Sequence, residues 1–223
     1  MSGAALPYAM LCRFAALALL CSALWPASAQ SAPQVATSPA PAAPTTPKPA
    51  AVRVLIKTSV GPITLELEKE RAPATTANFL HYVDTRRFDG AVFYRAMRLG
   101  GGLGLIQAGL QNDPRRLFPP VRHEPTTQTG LSNTDGAVAM ARDKPGSATA
   151  DFFISIGDLS QLDAKPGAPG DNLGFAAFGH VIDGMDVVHR IEESPVSPTA
   201  GDPGLKGQML APAVKIISVR RAP

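Results

Sequence analysis

The sequence predicts a mainly β domain, a closed antiparallel barrel of seven or eight short strands capped by two α-helices. Three observations carry this. From Val52 onward, short runs rich in β-branched and aromatic residues recur between turn signals such as Asp89-Gly90, Asp135-Gly136 and Asp183-Gly184. Only two stretches have helical spacing, and they stand far apart, so the elements do not alternate as β-α-β units. An alternating strand set with one buried face is best closed on itself, because closure leaves no exposed edge.

The elements follow in order. Val52–Thr58 and Ile63–Leu67 form a hairpin, with Ile63, Leu65 and Leu67 inward. Pro73 suits a first helical turn, and Phe79, Leu80 and Val83 make an apolar stripe, which predicts a helix over Pro73–Thr85. Val92–Met97 and Leu105–Gly109 are strands joined through a flexible Gly100–Gly104 connector. If Phe93 faces inward, alternation puts Arg95 on that face and Tyr94 on the other. Residues 112–134 form a long polar loop containing Pro114, Pro119, Pro120 and Pro125. Further strands are read at Ala137–Ala141, Asp151–Ile156 and Gly174–Ile182. A second helix covers Met185–Ile191, and Val214–Val219 is the closing strand.

The N-terminus reads as a secretory signal over residues 1–29. Arg13 precedes the apolar run Phe14–Trp25, and Ala27-Ser28-Ala29 fits a cleavage site. Met10 is an alternative start. An uncleaved anchor and lipidation of Cys21 are the alternatives to cleavage, the latter opposed by the bulky Leu20 before it. Cleavage implies a periplasmic protein with no stable membrane insertion. Both cysteines, Cys12 and Cys21, lie in that signal, so the mature chain has no thiol nucleophile, Cys-ligated zinc or disulfide. Residues 30–51 are mostly Pro, Ala, Ser and Thr, with Lys48 as the one charge. That composition predicts a disordered, extended tether, or alternatively a docking motif for a proline-binding partner. Residues 52–223 form the folded domain, long enough for a substantial core. The whole chain carries a formal +3, and losing Arg13 with the signal leaves +2, with basic residues scattered. That is no nucleic-acid footprint.

Most enzyme chemistries find no support. Gly100–Gly104 lacks the Gly-Lys-Ser/Thr ending of a phosphate loop. His81, His123, His180 and His189 are scattered singly, so no metal site is expected. No Gly-x-Ser-x-Gly elbow occurs. Asp151 and Asp158 read as loop and strand-end residues. What stands out is Arg95, an arginine amid apolar strand residues, where a charge is rarely buried without a partner.

Read together, the fragments resemble the cyclophilins. Phe93-Tyr94-Arg95, Leu105–Gly109, Gly136–Arg142, Ser147–Ile154, Leu162-Asp163, Phe175–Gly179 and Val181–Val188 occur in that family's order, across Val52 to about Val219. The resemblance implies an eight-stranded antiparallel barrel capped by two helices. It also implies peptidyl-prolyl cis-trans isomerase activity without a cofactor, on proline-containing polypeptides, by a monomer that binds neither metal nor nucleic acid. By the same resemblance Arg95 is the catalytic arginine and Gln107 binds the substrate backbone. Leu105, Met140, Phe153 and Leu162 match or flank the apolar floor that receives proline. Phe175 stands where relatives carry His or Tyr, and Ala141 and Arg142 border the peptide's path. The alternatives are a cyclophilin-like peptide-binding or chaperone module with weak or no isomerase activity, and a barrel holding a small ligand.

The sequence departs from the family pattern at four places. The link between Arg95 and Gln107 is longer and glycine-rich, and Gly104 replaces an aromatic, so one pocket residue is expected to be missing there or supplied from elsewhere. Asp151 stands where glutamine is usual, and Gln161 where an aromatic often lies. The last change resembles cyclophilins that bind cyclosporin weakly. Weak inhibition is therefore expected here, and a nanomolar inhibition constant in an isomerase assay contradicts it.

Overall fold

The computed structural model describes residues 51–223. The expected signal, both cysteines and all of the expected tether but Ala51 lie outside the described residues. Strands β1 (Val52–Thr58) and β2 (Gly61–Leu67) pair as the expected hairpin. Thr58 fixes its turn. The Thr58 Oγ1 donates to the Gly61 carbonyl at 2.6 Å and accepts from the Val60 N–H at 3.1 Å. Seven more strands follow. They are β3 (Val92–Gly100), β4 (Leu103–Gly109), β5 (Ala137–Met140), β6 (Phe152–Ile156), β7 (Ala177–Asp183), β8 (Val196–Ser197) and β9 (Met209–Arg221).

Eight of these nine strands close an antiparallel ring in the order β1, β2, β7, β5, β6, β4, β3, β9 and back to β1. The two-residue β8 pairs only with the start of β9. The expected closed eight-stranded barrel is present. Its β1–β9 seam matches Val54 with Arg221 and Ile56 with Val219, so neither strand is left as a bare edge. Helices α1 (Pro73–Asp84) and α3 (Met185–Glu192) pack on the core, through Phe79, Leu80, Tyr82 and Val83 in one and Val187, Val188 and Ile191 in the other. The polar loop at 112–134 also contains a single helical turn, α2 (Thr126–Thr129).

The barrel interior is filled by side chains. Phe79 is its hub, with ring centroids 5.1 Å from Phe88, 5.2 Å from Phe152 and 5.3 Å from Phe178. Burying one such ring stabilises by roughly 1.5–3 kcal/mol, with a further increment for the tilted and edge-on geometries. Strands β5 and β6 are buried on both faces. Val138, Met140, Phe152 and Ile154 point into the main core. Ala139 and Phe153 point outward, into a second apolar cluster with Leu105, Leu159 and Ala177. A strand covered on both sides favours apolar residues at nearly every position, which is why these two, with Ser155 the one polar exception, show no polar alternation. The second cluster forms the floor of the site described below.

Helix α1 begins without a local cap, since Ala72 stands at the N-cap and the first turn holds no acid. The fully buried Glu124 supplies one from the polar loop. Its carboxylate accepts from the Ala74 N–H (3.1 Å), the Thr75 N–H (2.8 Å) and the Thr75 hydroxyl (2.8 Å). A negative charge at a helix N-terminus also meets the favourable end of the helix dipole. Glu124→Ala leaves the two Thr75 donors buried and unpaired and the half-buried Ala74 N–H without its acceptor, so we expect unfolding in urea to show a loss of about 3 kcal/mol. A loss below about 0.5 kcal/mol, the range of an ordinary surface substitution, contradicts the capping role.

Candidate active site

The site is built on the β3–β4 hairpin, and its geometry turns on one irregularity. Phe93 pairs with Ala108 and Arg95 with Gln107, so Tyr94 is an extra residue on β3. This is a β-bulge, which interrupts alternation and re-aims the next side chains. Phe93 stays in the core, its ring 6.1 Å from Phe152. Tyr94 and Arg95 then both face the cleft outside the barrel. Strict alternation, which places Arg95 on the side of Phe93 and opposite Tyr94, does not hold here.

The cleft has a volume of about 680 Å³. Its apolar floor comes from Phe153, Leu105, Leu162, Phe175 and Met97. The rings of Phe153 and Phe175 meet edge-on at 5.5 Å. Arg142 lies over Phe175, its guanidinium carbon 5.0 Å from the ring centroid. It donates to the Gly174 carbonyl and pairs with Asp171 at 2.5 Å, which leaves its side chain 2% exposed. This clamp ties the strand-end residues Ala141 and Arg142 to the 171–175 segment and fixes one rim of the cleft.

The opposite rim is a continuous hydrogen-bonded chain. Arg95 donates from Nε to Gln208 Oε1 (2.8 Å), from one terminal nitrogen to Gln107 Oε1 (2.9 Å) and from the other to the Met97 sulfur (3.3 Å). Gln107 Nε2 donates to the Tyr94 hydroxyl (2.6 Å), which donates to Asp151 Oδ2 (2.8 Å). Asp151 Oδ1 accepts from the N–H groups of Leu110 (2.6 Å) and Gln111 (3.1 Å). Burial shifts all three ionisable members toward their neutral forms. The Tyr94 hydroxyl is pushed far above its ordinary value, first by burial and then by the charge of Asp151. Burial raises Asp151, against the hydrogen bonds that favour its ion. Burial lowers Arg95, which as a guanidinium remains protonated all the same.

Of the sequence-predicted site residues, Arg95, Leu105, Gln107, Ala141, Arg142, Phe153, Leu162 and Phe175 all line this one cleft. Met140 does not. It is 1% exposed and packs in the main core, because on β5 it takes the inward phase and leaves the cleft face to Ala139. The glycine-rich link also differs from expectation. It prolongs the hairpin, pairing Arg98 with Gly104 and Gly100 with Leu103. A Cβ on Gly104 would meet Glu192 Oε1 at 2.4 Å and the Met97 carbonyl oxygen at 2.6 Å, so that position has no room for a pocket side chain. Met97 and Leu103 pack against the floor cluster instead. Among the described residues, no three His, Cys, Asp or Glu side chains are grouped to hold a metal ion. No described helix is long and apolar enough to cross a membrane.

The comparisons with known proteins agree with this geometry. The family model for cyclophilin type peptidyl-prolyl cis-trans isomerase/CLD matches residues 53–221. The chain belongs to the cyclophilin-type isomerases. It is 36% identical over 172 residues to a peptidyl-prolyl cis-trans isomerase of Acinetobacter baylyi, covering 75% of this chain and 84% of that one. It is 35% identical over 144 residues to peptidyl-prolyl cis-trans isomerase B of Escherichia coli, covering 62% and 83%. In fold it is similar to a crystal structure of a Cryptosporidium parvum cyclophilin type isomerase. That match has a TM-score of 0.58 at 21% identity and covers 78% of this chain and 99% of that one.

Sequence reasoning missed Met97, Tyr94 and Asp151 among the residues that line this cyclophilin's cleft, and Gln208, which holds Arg95 from behind it. Met97 was within reach, lying two residues beyond Arg95 on one strand. Asp151 and Tyr94 had a partial signal in the departure from glutamine at 151. Gln208 had none, since it meets Arg95 across 113 residues of sequence. Removing one acceptor from the guanidinium loosens its aim without emptying the core. We expect Gln208→Ala to lower kcat/KM for a proline tetrapeptide on the order of tenfold while leaving the melting temperature within a few degrees. An unchanged kcat/KM contradicts a positioning role for Gln208.

Proposed function

We propose that this cyclophilin accelerates X-Pro rotation in exported proteins as they fold in the periplasm, with Arg95 stabilising the twisted amide. Rotation about the peptide bond breaks no covalent bond, yet its barrier is roughly 18–20 kcal/mol because resonance is lost. A protein lowers that barrier by holding the twisted form better than either planar one. In the twisted form the prolyl nitrogen regains a lone pair. A fixed, permanently charged donor beside it stabilises that state and has little to grip in the planar amide.

The observation that carries this reading is the juxtaposition of Arg95 with the apolar floor of Phe153, Leu105 and Leu162 in one cleft. A guanidinium has five N–H groups, and two of those on Arg95 are held by amide oxygens and one by a sulfur. The remainder are available to a substrate whose proline ring rests on the floor. Export rests on the N-terminal reading, Arg13, the apolar run after it and Ala27-Ser28-Ala29.

Two experiments test this. Isomerisation of a proline tetrapeptide should be faster than the spontaneous rate with the wild type, and roughly 10²–10³-fold slower with Arg95→Ala than with the wild type. Equal rates for the two proteins sink the arginine mechanism, and peptide binding without acceleration favours a binding module. For the location, N-terminal sequencing of the protein from a periplasmic extract should read from Gln30. An intact Met1 terminus in the cytosol overturns the export assignment.

A further inference from the structure

The chain Asp151–Tyr94–Gln107–Arg95 has a direction fixed from both ends. Arg95 can only donate, so the Gln107 atom that faces it must be the carbonyl oxygen. That turns the Gln107 NH2 toward Tyr94, whose oxygen must accept and whose single proton must go elsewhere. It goes to Asp151, which as a carboxylate can only accept. The acid is held there by the backbone. Gly109 has φ +144°, and a Cβ at that position would lie 2.0 Å from Asp151 Oδ1. Only a glycine lets the carboxylate approach the Leu110 and Gln111 amides so closely. Asp151 is 8% exposed, yet nothing in the isomerisation consumes or supplies its proton.

We propose that Asp151 is a positioning residue for the isomerase site, which sets the orientation of the Gln107 amide through the Tyr94 hydroxyl and thereby aims Arg95. This rests on the arginine mechanism proposed above. The carboxylate and the guanidinium act as two terminators of one relay, and the amide between them has a single allowed orientation. When Asp151 is protonated, its Oδ1 still accepts from two amides, so the proton sits on Oδ2 and points at Tyr94. The Tyr94 oxygen then faces donors from both sides, and its own proton has no acceptor. That proton then competes for the Gln107 carbonyl oxygen, so the amide no longer has a single orientation and Arg95 no longer has a fixed acceptor.

Among the described residues, the groups that face Asp151 are few. They are the Tyr94 hydroxyl from β3, the two backbone amides after β4 and, more remotely, the Tyr82 hydroxyl from α1. Arg95 lies beyond Tyr94, while Arg142, Asp143 and Asp202 stand elsewhere around the cleft. Burial raises Asp151, so it gains its proton at a higher pH than an ordinary aspartate does. Activity that needs its ionised form is complete at high pH and falls as pH drops through that value.

Asp151→Asn tests this without removing the backbone contacts, because its oxygen can keep the Leu110 and Gln111 amides while its NH2 faces Tyr94. It should behave as the protonated state does at every pH. We expect kcat/KM about tenfold below wild type and flat where the wild-type profile falls. Tyr94→Phe, which cuts the relay at another point, should give the same loss. The Gln107 side-chain amide resonances, followed by NMR without substrate, should titrate with pH in the wild type and not in Asp151→Asn. A folded Asp151→Asn or Tyr94→Phe protein with wild-type rates, pH profile and Gln107 resonances overturns the proposal. The arginine mechanism is judged separately, by Arg95→Ala in the same assay. If that substitution has no effect, the mechanism fails on its own account while the Gln107 resonances still report on the relay.

Discussion

One extra residue in β3 decides where the candidate active site of this molecule sits. The barrel needs Phe93 inside, edge-on to Phe152, and without a bulge the next two positions would split between core and surface. With Tyr94 unpaired in the ladder, two successive polar side chains leave the interior on the same side. Both arrive beside Gln107 on the neighbouring strand. A charged guanidinium is thus held next to an apolar floor without being buried in the core. Its cost of desolvation is offset by amide oxygens at 2.8 and 2.9 Å.

The rigidity behind this arrangement comes from a sheet with two apolar sides. Strands β5 and β6 carry Met140, Phe152 and Ile154 toward the interior and Ala139 and Phe153 toward the cleft. The floor on which a proline ring would rest is therefore the reverse face of the main core, and it cannot shift without disturbing the packing around Phe79. The rim is held differently, by the Arg142–Asp171 pair and the cation–π contact on Phe175. A packed apolar floor with a few fixed polar groups at its rims is the usual build of a ligand cleft.

Much of this was legible in the sequence, and the illegible part has a physical pattern. Strand and helix positions follow from turn residues and periodicity, both local properties. Arg95, Gln107, Phe153 and Leu162 could be placed in one cleft because the family's fragments fix their order. Met140 went astray because a short strand with both faces buried carries no polar alternation to set its phase. The bulge at Tyr94 is a property of how β3 meets β4 and β9, and one strand's residues do not announce it. Glu124 and Gln208 act on partners 49 and 113 residues away, so no local pattern could link them. Asp151 looked like a strand-end acid because its role depends on the backbone turn at Gly109.

The β1–β9 seam carries a consequence for how the molecule comes into being. Val54–Ile56 meet Val219–Arg221, and Arg95 is flanked by Met209 of the same last strand. A chain synthesised from its N-terminus holds β1 with one open edge until its final strand emerges, and such distant pairings are slow to form. The guanidinium lacks its Gln208 partner for the same interval. Birth of the barrel and arming of the site are one event, so a prematurely terminated chain has no partial version of either.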